Sequence, residues 1–452
     1  LHLNVLANTD PATILAQTER LDLRHTLFVV ASKSGRTVET MAAFNYFYNR
    51  VAAVVGNEKA GEHFIAITDA DSPLAQIATD YQFRHVFYNL TSLISRYAAL
   101  SYIGLVPAAL AGVNLETLLA RAEGMACNAH SCNCPLEGDN AAAQLGTALG
   151  VLAQAGRNKL TFITSPALAG FADWVEQLLA GSTGKAGVGI IPVVGESVGD
   201  SAVYGPDRAL LYLRLDGDDS QDTAVSTLQA AGFPVITVRW HDLSDLGGQF
   251  FLWQMAATVA AYHLNVNPFS QPQADALKAQ IGEIVARIQA KEEPKLPKTA
   301  VILDTLPELH RFLAQAQPGT ALAIQAFVPQ TKEMDALLST LRTQLRDRYQ
   351  LATLVGYGPR CLHTIGQMLK GGPQNIYVVQ LVATAKQDVP IPDKAGQPDA
   401  GLTFGKLQDI QATVDGRALR RAYRHVLHFQ LGADVENRLR QFIGEEVAFQ
   451  IK

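Results

Sequence analysis

In the first part of the chain, continuous apolar runs typical of buried strands alternate with an apolar pattern typical of a helix. An apolar run at residues 27–31 leads into small polar residues, and a helical apolar pattern then extends over 37–54. A second buried run follows at 64–68. This strand, helix, strand order predicts a parallel sheet covered by helices on both faces.

The same alternation of predicted strands and helices returns twice more along the chain. Ala290-Lys-Glu-Glu-Pro-Lys-Leu-Pro-Lys298 is polar, charged and interrupted by prolines, as is typical of a linker. We therefore predict an α/β fold with two doubly wound parallel-sheet domains and a C-terminal α/β segment. The remaining predicted elements are strands at 159–164, 210–215, 234–239, 321–328, 374–381 and 424–431, and helices at 249–263, 333–348 and 433–442.

The bulk composition narrows the class of protein. A chain of 452 residues is too long for one hydrophobic core, so two or three domains are expected. Thirty-seven basic against 42 acidic residues give a net charge of −5, which argues against a nucleic-acid surface. No apolar run reaches membrane-spanning length and no secretory leader is recognisable, so we expect a cytoplasmic protein without membrane contact.

Three of the four cysteines lie close together and raise the question of a metal site. Cys127, Cys132 and Cys134 surround His130, whereas Cys361 lies far along the chain. The spacing contains no paired C-x-x-C motif. We expect a solvated loop with reduced thiols and no bound metal.

An acidic loop, Asp216-Gly-Asp-Asp-Ser-Gln-Asp222, follows the strand predicted at 210–215. Such a loop could hold a divalent cation. A solvated turn is the interpretation that we favour.

The clearest candidate for chemistry is the turn Ser32-Lys-Ser-Gly-Arg-Thr37. A strand that ends in small hydroxyl residues and a glycine predicts a tight turn followed by a helix. Hydroxyls, free N–H groups and the helix dipole would then converge on one anion. Ser and Thr also cap helices in proteins of every function, so a plain N-cap is the alternative.

Several segments resemble the phosphoglucose isomerases, whose fold contains two sugar isomerase (SIS) domains. The turn above is similar to their sugar-phosphate loop, residues 174–192 to their central active-site segment, and 250–278, with Asn267-Pro-Phe-Ser-Gln-Pro272, to their late signature. The resemblance is strongest to the isomerase half of bacterial bifunctional transaldolase/phosphoglucose isomerases. It implies an N-terminally truncated first SIS domain at 1–135, a second at 136–290 and a C-terminal α/β segment at 299–452.

The resemblance implies phosphate-binding roles for four residues, namely Ser32, Ser34, Thr37 and Thr40. Arg36 stands where the family usually has another threonine. A cation at this position could strengthen phosphate binding, could crowd the loop, or could point to solvent.

The resemblance also assigns three catalytic positions. Arg96 matches the arginine that stabilises the enediolate, although Ile94-Ser95 replaces the family's paired glycines before it. Lys278 matches the lysine that helps to open the sugar ring. His363, in Leu362-His-Thr-Ile-Gly-Gln367, resembles the ring-opening histidine, although its run follows the Asn-Pro-Phe signature here.

The main departure from the family pattern is Gly181. The family has a glutamate here, just before Ser-x-Gly-Lys, which moves a proton between C1 and C2. Glycine supplies no base, and Glu176 and Glu196 are the neighbouring carboxylates that could in principle take its place. Gly181-Ser-Thr-Gly-Lys185 lacks the spacing of a nucleotide-binding P-loop.

Three hypotheses follow for the function. The first is a glucose-6-phosphate isomerase of glycolysis and gluconeogenesis that works through a cis-enediol without cofactor or metal, with activity impaired at Gly181. The second is a non-catalytic sugar-phosphate-binding SIS module. The third is a structural partner of a fused transaldolase upstream. The family also suggests a homodimer.

Overall fold

The computed structural model describes residues 2–129, 140–292, 294, 302–303 and 306–450. They form two compact units, each assembled from stretches that are separated in sequence. Unit 1 comprises Leu1–Leu115, Asp275–Lys298 and Thr384–Asp415, and unit 2 comprises Glu116–Ala274, Thr299–Ala383 and Gly416–Lys452. The three consecutive domains expected from the sequence stay a prediction.

Helices and strands alternate along most of the chain. The helices are α1 (Pro11–Arg20), α2 (Val38–Val55), α3 (Asn57–Ala60), α4 (Pro73–Asp80), α5 (Tyr102–Leu110), α6 (Leu115–Ala129), α7 (Ala141–Gln154), α8 (Ala169–Thr183), α9 (Asp222–Ala230), α10 (Leu246–His263), α11 (Pro272–Gln289), α12 (Leu306–Leu313), α13 (Lys332–Tyr349), α14 (Arg360–Thr364), α15 (Gly366–Gly371), α16 (Phe404–Arg421) and α17 (Val435–Gln450). The strands are β1 (Phe28–Ala31), β2 (Phe64–Thr68), β3 (His85–Tyr88), β4 (Lys159–Thr164), β5 (Ile191–Val193), β6 (Arg208–Leu215), β7 (Val235–Trp240), β8 (Ile302–Leu303), β9 (Ala321–Phe327), β10 (Ala352–Tyr357), β11 (Ile376–Ala383), β12 (Pro390–Ile391), β13 (Leu402–Thr403) and β14 (His425–Gly432).

Unit 1 contains a parallel sheet in the order β1-β2-β3. Its core is aromatic: the rings of Phe28 and Phe64 stack at 5.0 Å, and Phe44 meets Phe64 edge-on at 5.5 Å. Phe44 comes from α2, so the helix that follows the first turn is held against the strands by ring packing. A short antiparallel pair, β12 with β13, also belongs to this unit.

Unit 2 contains two parallel sheets. The first has the order β5-β4-β6-β7, and the second has the order β10-β9-β11-β14-β8. β9 and β11 are buried at every position, as expected for central strands covered on both faces. The prediction of an α/β fold with parallel sheets is confirmed.

A row of polar side chains crosses the middle of the five-stranded sheet. Gln325, Gln380 and His428 are in register on β9, β11 and β14, and all three are buried. The Gln380 amide donates to Gln325 Oε1 at 3.0 Å, and His428 Nδ1 lies 3.3 Å from Gln380 Oε1. Burial lowers the pKa of His428, the charge of Arg420 lowers it further, and a bond with Gln430 opposes the shift.

This histidine makes stability depend on pH. Since the folded pKa of His428 lies below its ordinary value of 6.5, the unfolded chain takes up the proton first as pH falls. We expect the free energy of unfolding to decrease as pH drops below about 6.5, and His428→Gln to flatten that slope. Urea unfolding at pH 7.5, 6.5 and 5.5 measures it. His425→Gln, at an exposed position of the same strand, is the control, and an unchanged slope in His428→Gln would contradict the prediction.

Candidate functional site

The hydroxyl-rich turn lies at the carboxyl end of β1, immediately before α2. Ser32 Oγ lies 3.0 Å from Thr37 Oγ1, and the Arg36 N–H donates to Ser34 Oγ at 3.3 Å. Thr37 is the N-cap residue, yet its side chain makes no capping hydrogen bond. The N–H groups of the first turn of this 18-residue helix therefore lack a side-chain cap and, with the helix dipole, favour an anion. Thr40 follows within that turn and is half-buried.

A glycine and two side chains of β2 and its loop hold this turn in shape. Gly35 has φ +61°, and a Cβ there would lie 2.5 Å from the backbone nitrogen of Leu74, so only glycine fits without a shift. Thr68 Oγ1 donates to the Ser32 carbonyl at 2.7 Å. The Lys33 ammonium forms an ion pair with the Asp69 carboxylate at 2.7 Å, so the charge of Lys33 is already paired within the protein.

Arg36 is exposed, whereas Ser32 is buried. Within the described part of the chain, Arg36 forms no ion pair. Its charge is therefore available to an anion that approaches the turn from solvent.

Arg96 and Lys278 both belong to unit 1. Arg96 lies in the short turn of 3-10 helix Ser95–Tyr97, is 5% exposed, and has its guanidinium carbon 5.7 Å from the centre of the Tyr97 ring. Burial lowers the pKa of Arg96, and Tyr97 and Asp275 oppose the shift. Lys278 is exposed, three residues after Asp275 on α11. The start of α11 thus brings a carboxylate close to Arg96.

In unit 2, Gly181 lies in the last turn of α8, with its neighbours Ser182 and Thr183 fully buried. Lys185 follows the helix end and is buried. Its ammonium donates to the Ser182 carbonyl at 2.8 Å and to the carbonyl of Asn267. Lys185 therefore ties the Gly181 segment to the Asn-Pro-Phe motif.

His363 lies on α14, just after the carboxyl end of β10, and is half-buried. The buried Arg424 guanidinium holds the end of α15 and the residues after it, Lys370-Gly-Gly-Pro373. This side chain donates to the carbonyls of Leu369 at 2.6 Å, Gly372 at 2.7 Å and Pro373. Burial lowers the pKa of Arg424 to about 10.

Glu196 is held in a buried ion pair. Its carboxylate faces the Arg208 guanidinium at 3.0 and 3.5 Å and accepts from Thr353 Oγ1 at 2.6 Å and from the Thr353 N–H at 3.1 Å. Both partners are essentially inaccessible to solvent. With its oxygens occupied in this way, Glu196 is poorly suited to replace a base at position 181.

Glu176 lies five residues before Gly181 on α8. The side chain keeps some contact with solvent, but the protein around it raises the pKa of the carboxyl to about 8. Burial is the main cause, the Asp173 carboxylate adds to it, and Arg360 and Arg342 oppose it. Five residues along an α-helix correspond to a rotation of about 140°. Glu176 and position 181 therefore face different directions, which argues against Glu176 as a direct replacement.

Glu176 also predicts a pH-dependent change in stability. At pH 7 the folded carboxyl holds a proton that the unfolded chain, with its ordinary pKa of 4.5, has lost. We expect Glu176→Gln to raise the free energy of unfolding at pH 7 by about 1–2 kcal/mol. In urea unfolding, the difference in free energy of unfolding between Glu176→Gln and the unchanged chain should widen as the pH rises from 5 to 8. Glu123→Gln, at an exposed position of α6, is the control, and a pH-independent gap would contradict the prediction.

The aspartates of the acidic loop form ion pairs with nearby arginines. Asp222 pairs with Arg214 at 2.9 Å, and Asp216 with Arg239 at 3.1 Å. Hydrogen bonds from Arg214 and from Tyr212 lower the pKa of Asp222 to about 2. Over the described residues, no three His, Cys, Asp or Glu side chains are grouped so as to hold a metal ion.

The cysteines are only partly covered by the structure. Cys127 is exposed and Cys361 is buried, and neither forms a disulfide within the described residues. His130, Cys132 and Cys134 lie outside the described residues.

No helix among residues 2–129, 140–292 and 306–450 combines the length and the apolar character needed to cross a membrane.

Comparisons with known proteins agree on one family. The phosphoglucose isomerase family model matches residues 1–194. The glucose-6-phosphate isomerase of Parabacteroides distasonis is 29% identical in an alignment 287 residues long that covers 55% of this chain and 64% of that protein. That of Symbiobacterium thermophilum is 27% identical in an alignment 311 residues long that covers 60% of this chain and 69% of that protein. The chain thus spans about two thirds of the length of these relatives.

Two solved structures share the fold. A hypothetical protein from Thermus thermophilus has a TM-score of 0.53 at 24% identity, covering 61% of this chain and 75% of that one. A glucose-6-phosphate isomerase from Chlamydia trachomatis has a TM-score of 0.50 at 19% identity, covering 64% of each chain. Residues 1–194 of the chain thus match the phosphoglucose isomerase family, and the two solved structures share the chain's α/β fold.

Proposed function

We propose that this chain binds hexose 6-phosphates and is built for the aldose–ketose isomerisation of glucose 6-phosphate and fructose 6-phosphate. The observation that carries the proposal is the hydroxyl turn before α2, since Ser32 and Thr37 converge at 3.0 Å on a helix start without a side-chain cap. This is the chemistry that a phosphate monoester requires. The turn lies inside the region that matches the family model.

The phosphate would rest on Ser32, Ser34 and Thr37, with Thr40 alongside and Arg36 adding charge from solvent. Hydroxyl and N–H donors fix a dianion without a metal. In this scheme the turn supplies binding and orientation and takes no part in proton transfer.

Chemistry at the sugar end needs four further groups. Lys278 and His363 would exchange protons with the ring oxygen and the C1 hydroxyl, which opens the ring. A base then removes the proton from C2 and returns it to C1, and Arg96 would stabilise the negative charge of the enediolate. The same base gives back the proton it took, so the scheme balances without cofactor or metal.

Position 181 is where the family places that base, and Gly181 has no side chain to supply it. A second function is therefore supported by a specific residue: a sugar-phosphate-binding module that no longer turns substrate over. Both functions share the phosphate turn and differ in whether a carboxylate reaches C1 and C2.

Isothermal calorimetry with fructose 6-phosphate and 6-phosphogluconate tests the shared step. Thr37→Val keeps the shape of the side chain and removes its hydroxyl, and we expect it to weaken binding about 10-fold. Thr18→Val is the matched control, because Thr18 is also a half-buried threonine of unit 1 and donates to the Ile14 carbonyl.

The outcomes separate the alternatives. Binding with turnover in a coupled isomerase assay supports the isomerase, and binding without turnover supports the module. Absence of heat with either ligand would refute both and leave a structural role beside a fused transaldolase domain. We further propose a homodimer, a cytoplasmic location and a place in glycolysis and gluconeogenesis.

A further inference from the structure

A single buried amide joins three segments that are distant in sequence. Gln367, at the start of α15 and 3% exposed, accepts the N–H groups of Gln273 at 3.1 Å and Ala274 at 3.2 Å on its Oε1. Its Nε2 donates to the Gly184 carbonyl at 3.2 Å and to Gln273 Oε1. Both ends of the amide are therefore used, one toward the start of α11 and the other toward the segment that follows Gly181.

The backbones at this junction are packed too closely for side chains. A Cβ on Gly184 would lie 2.5 Å from the Cα of Met368, and a Cβ on Gly371 would lie 2.9 Å from Gln367 Nε2. The Gly187 N–H also donates to the Gly371 carbonyl at 2.9 Å. The end of α8 and the α15 segment thus meet backbone to backbone, with the Gln367 amide between them.

Lys185 provides an independent connection, since its ammonium reaches the carbonyls of Ser182 and Asn267. Removal of the Gln367 amide therefore still leaves the Lys185 link between the α8 end and the Asn-Pro-Phe segment. Loss of Gln367 should loosen the junction without unfolding unit 2.

We propose that Gln367 is a positioning residue that sets position 181 relative to His363. His363 lies four residues before Gln367, and Gly184 lies three residues after Gly181, so the amide links the two positions through short stretches of chain. The catalytic part of this inference rests on the proposed function. A base displaced by about 1 Å loses on the order of 10² in rate, so the Gln367 bonds would act mainly on kcat.

The first test needs no activity. Gln367→Met keeps the length of the side chain and removes all four hydrogen bonds. In the otherwise unchanged chain, we expect faster amide hydrogen exchange at Gln273 and Ala274. Gln380→Met is the matched control, because Gln380 is also a buried, paired glutamine of unit 2, and its bonds to Gln325 and His428 lie within the five-stranded sheet.

The second test uses the Gly181→Glu chain in the coupled isomerase assay. There we expect Gln367→Met to lower kcat about 10²-fold with KM changed less than about threefold. Gln367→Glu retains the acceptor for Gln273 and Ala274 but loses the donor to Gly184. Its kcat, relative to Gly181→Glu alone, should recover as pH falls, since a protonated carboxyl regains an O–H donor.

The two tests fail separately. An inactive Gly181→Glu chain would overturn the proposed isomerase function, and hydrogen exchange would still decide whether Gln367 holds the junction. Unchanged exchange at Gln273 and Ala274 in Gln367→Met overturns the inference. So does an equal loss of kcat in Gln380→Met, which would show a general effect of destabilising unit 2.

Discussion

Gly181→Glu is expected to raise isomerase turnover by on the order of 10²–10⁴, the contribution of one positioned general base. The substitution puts a carboxyl at the end of α8, beside the junction formed by Lys185 and Gln367. The measurement is kcat and KM for fructose 6-phosphate in a coupled assay, for the unchanged chain and the variant. KM should change little, because the proposed phosphate contacts lie in the turn before α2.

Gly181→Gln is the matched control, since it adds the same bulk and hydrogen-bonding capacity without a base. A gain in Gly181→Glu that Gly181→Gln does not share would show that proton transfer was the missing function. If the unchanged chain is already as active as Gly181→Glu, another carboxylate supplies the base and the role given to position 181 is wrong. Glu176→Gln would then be the next variant to assay, because among the described residues the Glu176 carboxyl forms no ion pair of the kind that holds Glu196.

Glu196→Ala is expected to lower the free energy of unfolding by about 3–5 kcal/mol, the usual effect of removing one partner from a buried ion pair. The variant would leave the Arg208 guanidinium, 1% exposed, without its counter-charge, and Thr353 would lose its acceptor. Arg208 also donates to Thr161 Oγ1 and the Leu351 carbonyl, so the loss extends into β4 and to the start of β10. Urea unfolding at pH 7 measures it.

The double variant Glu196→Leu/Arg208→Met is the control for this interpretation. Replacing a buried pair by apolar groups of similar volume is often neutral, so most of the stability should return. If Glu196→Ala costs less than about 1 kcal/mol, the pair is better solvated than the structure indicates. If the double variant keeps sugar-phosphate binding, Glu196 has a structural role only.

Local patterns in the sequence were sufficient for most of the elements. The strand at 64–68 and the strand at 159–164 have the bounds of β2 and β4, because continuous apolar runs between turn residues have few alternatives. β3 was not predicted, since its pattern His-Val-Phe-Tyr is only half-buried and carries no clear alternation. β10 was not predicted either, although all but one of its residues are buried, because its small residues Ala, Thr and Gly give a weak strand signal.

The candidate site also has parts that the sequence predicts and parts that it does not. The hydroxyl turn could be found from sequence because its chemistry is contained in six consecutive residues that end a strand and begin a helix. Gln367 could not, because a buried glutamine has no local signature and its three partner residues lie on segments about 90 and 180 residues away. The raised pKa of Glu176 likewise depends on burial and on Asp173, Arg360 and Arg342, two of which come from other elements.

The sequence by itself determined the parallel α/β class, the hydroxyl-rich turn between a strand and a helix, and the absence of a carboxyl at position 181, because each is a property of a short run of residues. The tertiary structure alone decided that Glu196 is bound in an ion pair, that Glu176 faces away from position 181, and that Gln367 joins three segments. Those facts depend on long-range packing, in which a side chain's partners and solvation are set by residues that its own neighbourhood in sequence does not specify.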